Sequence, residues 1–427
     1  MQYRELVMTK HVAIIGAGAS GIICAKKFLD AGFNVTIFEK SDNTAGVWNF
    51  SDSGVVYDSL RTNLPKEIMA FEDQLVPYGG EESFPGYAEV RDYLANNSNA
   101  WGVDKIIKFE CEVIDTVPIE KDNHLTKWKL FYKDGVSEKS EEFDYIATCN
   151  GHYETPNFPD DVFIEADTKE HVSHSKSYRA PTSFGARILC VGYSSSGNDI
   201  ARDLLESGRE VFVSQKIIDE TSEKQNLANV EGIRFVSQIK SIKKVGDECI
   251  AETQFGSTIK FDNVIFCTGY KYSFPFLNDE IISTKNNMVK PLYSELIHEK
   301  YYSLAFVGLP WKTLPFVLAE SQAIFLSKAW VDDSIIKLVN HLEISQDHYT
   351  RIKRESLSGK YYHCLGDKQW SYDKKLLSLV GELSQYRINR VDAIEEVFTV
   401  VAIAKAKDLQ SYRDKNYSFD KLKKFSR

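Results

Sequence analysis

Two glycine-rich stretches carry the clearest chemistry in the chain. Gly16-Ala17-Gly18-Ala19-Ser20-Gly21 follows the apolar run His11 to Ile15 and opens a helical pattern that reaches Asp30, with Gly32 closing it. Glycines at 16, 18 and 21 let the backbone turn tightly, so that Ala19 and Ser20 meet a pyrophosphate at a helix N-terminus. The next strand pattern, Asn34 to Phe38, ends in Glu39 and Lys40. A carboxylate at that point accepts hydrogen bonds from ribose hydroxyls. Strand, glycine turn, helix, strand and acid at these separations bind a dinucleotide.

The same grammar returns further on. Arg187 to Val191 reads as a strand, then come Gly192-Tyr193-Ser194-Ser195-Ser196-Gly197, a helix to Glu206, the closing Gly208 and a strand from Glu210 to Ser214. Ser194 stands where the middle glycine would be; it is small and can itself donate a hydrogen bond. Gly192 to Gln215 spans the same separation as Gly16 to Glu39, so the acid of the first unit is replaced by Gln215, with Lys216 following. A carboxylate there would repel a 2′-phosphate, whereas Ser214, Gln215 and Lys216 can donate to one. The second loop is therefore expected to take NADPH in preference to NADH.

Two βαβ units imply two nucleotide sites and an α/β fold. A second repeat locates the boundaries. Phe143-Asp144-Tyr145-Ile146-Ala147-Thr148-Cys149-Asn150-Gly151 resembles Phe261-Asp262-Asn263-Val264-Ile265-Phe266-Cys267-Thr268-Gly269, and the pair brackets the second βαβ unit. The expected organisation is two Rossmann-like domains. The smaller, residues 155–268, is inserted in a larger one formed by 1–154 and 269–427. Helix-like runs at Lys374 to Gln385 and Val391 to Lys407 close the chain.

At 427 residues the chain is longer than one core usually holds. A net charge of −9 argues against tracking nucleic-acid phosphates. Seven cysteines, an odd number without a C-x-x-C, suit buried, reduced thiols in a reducing compartment. The first residues lack the apolar core of a secretory signal, and Val397 to Ala404 is too short to cross a bilayer. A cytoplasmic protein without a membrane anchor or metal is expected; homo-oligomerisation is left open.

Further stretches make the chain recognisable. They are Gly46-Val47-Trp48, Tyr57-Asp58-Ser59-Leu60-Arg61-Thr62-Asn63-Leu64-Pro65-Lys66, Cys149-Asn150-Gly151-His152-Tyr153 and Phe266-Cys267-Thr268-Gly269-Tyr270. Leu304-Ala305-Phe306-Val307-Gly308-Leu309-Pro310, followed by Glu320-Ser321-Gln322-Ala323, completes the set. Together they resemble the flavin-containing monooxygenase family, and more closely its shorter soluble fungal and insect members, which oxygenate nitrogen or sulfur. Ala45 stands where that family has the first glycine of Gly-Gly-x-Trp. Its F-x-G-x-x-x-H-x-x-x-[FY] signature survives here only as the tail His174-Ser175-Lys176-Ser177-Tyr178-Arg179, with Thr168 and Glu170 in its front half.

The resemblance implies FAD on the first loop and NADPH on the second. NADPH reduces the flavin, oxygen adds at carbon 4a, and a soft nitrogen or sulfur of a small amine, alkaloid or sulfur compound attacks the resulting hydroperoxide. It places Gly46, Val47, Trp48, Arg61, Thr62, Asn63, Val113 and Gln322 at the flavin, and Cys267, Thr268, Gly269 and Tyr270 at the nicotinamide nucleotide. Asn63 is the expected catalytic side chain, its amide donating to the peroxide or to bound NADP; Gln322 opens a helical pattern after Pro315. His152 and His174 read as structural histidines, because this chemistry does not require one. A Baeyer–Villiger oxygenase and a peroxide-releasing NADPH oxidase share the scaffold. The former usually carries Trp-Pro after the signature histidine, where Tyr178-Arg179 stands here. A disulfide reductase of this fold would need a redox cysteine pair.

Overall fold

The computed structural model describes residues 9–224, 229–230, 232–332, 334–337, 359–408 and 411–417. Its chain divides into two units: 1–46 with 62–152 and 272–427, and 47–61 with 153–271.

The first unit is built on a seven-stranded sheet. Its order is Leu292–Tyr293, Ile297–His298, Leu304–Phe306, Tyr145–Thr148, His11–Ile15, Asn34–Phe38 and Ile107–Lys108. The last five run parallel, in the register Ile14↔Ile37 and Ile14↔Ala147. His11–Ile15 has four buried residues in a row, as a parallel strand covered on both faces requires. The helix Ala19–Asp30 packs against the long helix Pro315–Ala329, which proline opens at its first turn. That second helix is buried almost all round, and its polar residues are therefore pinned. Glu320, 2% exposed, shares the Glu72 N–H between its two carboxylate oxygens and lies near the Lys27 ammonium and the Arg390 guanidinium.

The C-terminal helices differ from the expected runs. They span Gln369–Leu379 and Gln385–Lys407. The break falls where Gly381 takes a φ of +70° and the Ser384 hydroxyl caps the next helix through the Arg387 N–H. Among the described residues, no helix is long and apolar enough to cross a membrane.

Asp373, on the first of these helices, is fully buried. Gln369 donates to one of its oxygens at 3.2 Å and the other has no partner among the described residues. Burial pushes its carboxyl up to about 7 against the pull of the Gln369 hydrogen bond and the charge of Arg390. An unfolded aspartate ionises near pH ~3.9. Stability from this group is thus full below that pH and lost as pH rises through about 7. Asp373→Asn is expected to flatten that decline: urea midpoints of wild type and variant should diverge between pH 5 and pH 8, and parallel profiles would refute the assignment.

The second unit carries a six-stranded sheet in the order Val172–His174, Asn263–Phe266, Arg187–Val191, Glu210–Ser214, Ile233–Val236 and Asn229–Val230. All its pairings but the last are parallel. A second, mixed sheet of Phe163–Ile164, Ile239–Val245, Glu248–Thr253 and Thr258–Phe261 joins it.

Residues 47–61 were expected with the first domain and belong to this unit instead. Arg179 is the reason. Its guanidinium donates to the carbonyls of Asp52 and Gly54, each at 2.8 Å, and to those of Lys176 and Tyr178. The Asp58 N–H donates back to the Arg179 carbonyl, while Asp203 accepts from both the Ser59 and Tyr178 hydroxyls.

Candidate dinucleotide sites

The two glycine loops are built alike. Each begins with a glycine at the carboxyl end of the central strand, Gly16 at φ +104° and Gly192 at φ +98°. A Cβ would lie 2.6 Å from the Cys149 carbonyl oxygen at Gly16 and 2.7 Å from that of Cys267 at Gly192. The N–H of Gly16 donates to the Phe38 carbonyl, and that of Gly192 to the Ser214 carbonyl. The similar segments Phe143 to Gly151 and Phe261 to Gly269 thus do the same work: each lays a carbonyl against a loop that only glycine can complete.

The middle position has no such demand. Gly18 has φ −75° and ψ −173°, and Ser194 has φ −85° and ψ −163°. An L-residue adopts this extended backbone without strain, so serine costs the second loop nothing. Both residues start helices without a side-chain cap, which leaves first-turn N–H groups for a ligand. Ser194, Ser195 and Ser196 are exposed there, while Gly197 is tucked against the Gly192 carbonyl.

In the first unit Glu39 organises the loop directly. One carboxylate oxygen accepts from the Ala17 N–H at 2.7 Å and the other from the Ser41 N–H and hydroxyl. The oxygen that accepts only from Ala17 keeps a lone pair for a ribose hydroxyl. Gly46, at φ +55°, backs onto Gly18, and the neighbouring Ala45 holds φ +75° while fully buried. An L-residue there costs of order 1 kcal/mol. Gly308, at φ +77°, closes the other side: a Cβ on it would lie 2.7 Å from the Ser20 hydroxyl. The structure therefore brings together Gly16, Gly18, Ala19, Ser20, Gly21, Glu39 and Gly46, and adds Gly308, which sequence reasoning did not single out. Beside it a small recess is lined by Thr148, Asn150, His152, Phe306 and Gly308, at the carboxyl ends of two parallel strands.

Other flavin positions are placed differently. Thr62 is buried and its hydroxyl has no partner among the described residues, an orphaned group suited to a ligand. Asn63 is exposed, and no hydrogen bond between described residues engages its amide; Lys40 is exposed too. Val113 is a core residue, packed with Phe38 and Tyr132. Val47, Trp48 and Arg61 fall in the second unit. Gln322 does not open its helix; it lies at its midpoint and is fully buried. Its amide accepts from the Gly308 N–H at 2.8 Å and donates to the Tyr372 hydroxyl at 2.9 Å. Gln322 thus holds the Gly308 turn.

In the second unit, Gln215 is fixed by its N–H on the Val236 carbonyl, as Glu39 is by its own on Lys108. Lys216 is largely exposed. The Ser214 hydroxyl donates to the Ser237 carbonyl at 3.0 Å. The Thr268 hydroxyl is likewise spent on the Asn157 carbonyl. Cys267 is buried, and Gly269 gives its carbonyl to His174 and to the Asn157 N–H. Tyr270 stacks edge-on against His174 and Tyr153. The Tyr193 ring packs edge-on to Phe235.

His152 and His174 lie near these loops, both held below the ordinary histidine range. Burial pushes the His152 imidazole down to about 4, helped by nearby His363 and opposed by a hydrogen bond to the Gly308 backbone. Burial likewise takes His174 to about 4, against its bond to the Gly269 carbonyl. The buried pair Glu295–His363 looks like a catalytic dyad, but the other ring nitrogen accepts from the Val289 N–H at 2.8 Å. Both nitrogens are therefore committed within the fold.

A family model described as flavin-binding monooxygenase-like matches residues 9–222 and 226–385. Flavin-containing monooxygenase FMO GS-OX-like 4 of Arabidopsis thaliana is 28% identical, covering 96% of this chain and 94% of its own. Flavin-containing monooxygenase FMO GS-OX-like 2 of the same plant is 30% identical, over 86% of this chain and 84% of its own. Among solved structures, S-allyl-L-cysteine S-oxygenase from Allium sativum superposes with a TM-score of 0.83 at 29% identity, covering 98% of each chain.

Proposed function

The chain belongs to the flavin-binding monooxygenase-like family, an oxidoreductase working with FAD and NADPH, and on that premise we propose that it oxygenates the sulfur of small thioethers. The observation that carries this reading is the likeness to an S-oxygenase over nearly the full length of both chains. Two loops of matching geometry, each with a glycine that a Cβ would obstruct, support it.

The protein's part is binding, orientation and exclusion of water. The Gly16 loop and the open first turn of Ala19–Asp30 receive the flavin's pyrophosphate, and Glu39 accepts its ribose hydroxyls. The Gly192 loop does the same for NADPH, with Gln215 and Lys216 toward its 2′-phosphate. The Asn63 amide is the donor offered to the reacting oxygen. When bound, FAD would supply acceptance of a hydride from NADPH and activation of dioxygen. An uncharged sulfur needs no deprotonation to attack, so no protein base is called for.

The test is product balance. With FAD-loaded enzyme, NADPH and an S-alkyl cysteine, NADPH consumed should equal sulfoxide formed, and a tertiary amine should give less N-oxide. Stoichiometric hydrogen peroxide without sulfoxide would make the protein an NADPH oxidase. Ester or lactone from a ketone would make it a Baeyer–Villiger enzyme.

A further inference from the structure

Three side chains meet at the end of the second nucleotide-binding strand. Lys216 follows Gln215, whose backbone is anchored on Val236, and its side chain is 77% exposed. Gln238 follows Ser237, whose carbonyl holds the Ser214 hydroxyl on the adjoining strand. Asp161 comes from the segment just before Phe163–Ile164. One Asp161 oxygen accepts from the Gln238 amide at 2.7 Å and lies 3.9 Å from the Lys216 ammonium. An acid thus sits beside the one base that follows this strand, where an anion is expected.

We infer that Asp161 tunes the preference for a 2′-phosphorylated nicotinamide nucleotide, by holding Lys216 when the site is empty and repelling the phosphate when it is filled. This rests on the reading of Gln215 and Lys216 as the 2′-phosphate end. The pair is exposed on both sides, so its attraction is weak and a phosphate carrying nearly two charges displaces it. The Gln238 hydrogen bond keeps the carboxylate close after Lys216 has moved to the phosphate. A carboxylate several ångströms from a phosphate, in a setting close to water, weakens binding by roughly 3- to 10-fold. Glu223, the nearby buried carboxylate, does not share this role. Although burial raises its carboxyl, hydrogen bonds from Ser237, Ser257 and Thr253 hold it below its usual range, and its oxygens are taken up by Ser237 and Thr253.

The experiment is calorimetric titration of the FAD-loaded enzyme with adenosine 2′,5′-bisphosphate and, separately, with adenosine 5′-monophosphate. Asp161→Asn should tighten the bisphosphate roughly 3- to 10-fold and leave the monophosphate unchanged. In a Lys216→Met background that gain should shrink. If Lys216→Met weakens the bisphosphate but Asp161→Asn does not tighten it, the inference fails while the phosphate assignment stands. If Lys216→Met leaves bisphosphate binding unchanged, the assignment fails and takes the inference with it.

Discussion

Gly192→Ala is expected to yield a chain that purifies with flavin but is reduced by NADPH about 100-fold more slowly, while Gly16→Ala yields one that no longer retains flavin. Both glycines hold a φ of about +100° that L-residues rarely adopt, and in both a Cβ would press on a backbone carbonyl, at 2.7 Å for Gly192 and 2.6 Å for Gly16. The carbonyls belong to Cys267 and Cys149, which continue buried parallel strands and have little room to retreat. The loop must move instead. A shift of about 1 Å where a phosphate is bound costs on the order of 100-fold. The two variants separate the sites: flavin-to-protein absorbance ratio reads the first loop, and the anaerobic reduction rate at fixed NADPH reads the second. A Gly192→Ala enzyme reduced at the wild-type rate would sever that loop from NADPH.

The largest stability effect is expected at Glu320. Its carboxylate is almost fully enclosed, bonded to the Glu72 N–H and flanked by Lys27 and Arg390, with Asp73 on the far side of Lys27. Removing one partner from such a cluster strands the other charges in a low-dielectric interior, at a cost of about 3–5 kcal/mol. Glu320→Ala should lose that much in urea unfolding of the flavin-free chain. Glu320→Gln should lose less, because an amide oxygen still accepts from Glu72. A loss below about 1 kcal/mol would show the cluster to be solvated.

What was legible in the sequence is what local chemistry dictates. The strand, turn and helix limits around both glycine loops are as read from residue order, because tight turns, apolar runs and closing glycines leave few alternatives. The exchange of Glu39 for Gln215 was legible for the same reason, as both follow a strand at one spacing. Long-range hydrogen bonding was not. Nothing in the local sequence shows that the Ser214 hydroxyl donates to Ser237 or the Thr268 hydroxyl to Asn157. Residues 47–61 look like flavin-domain sequence because no periodicity reveals that Arg179 will bond the carbonyls of Asp52 and Gly54. Gln322 could be read as a surface or ring-contacting residue because nothing in its neighbours shows that Pro315 has already opened the helix.

The strap held by Arg179 also bears on modularity. The chain passes from one unit to the other four times, at 46/47, 61/62, 152/153 and 271/272. The second unit is therefore not a cassette that recombination can lift out between two cut points. A chimera exchanging 153–271 alone would part Tyr178 and Asp203 from Tyr57 and Ser59, leaving a buried seam between sequences of different parentage. Lineages that trade nucleotide-binding modules would have to carry residues 47–61 along, and the two stretches are expected to drift as one heritable block.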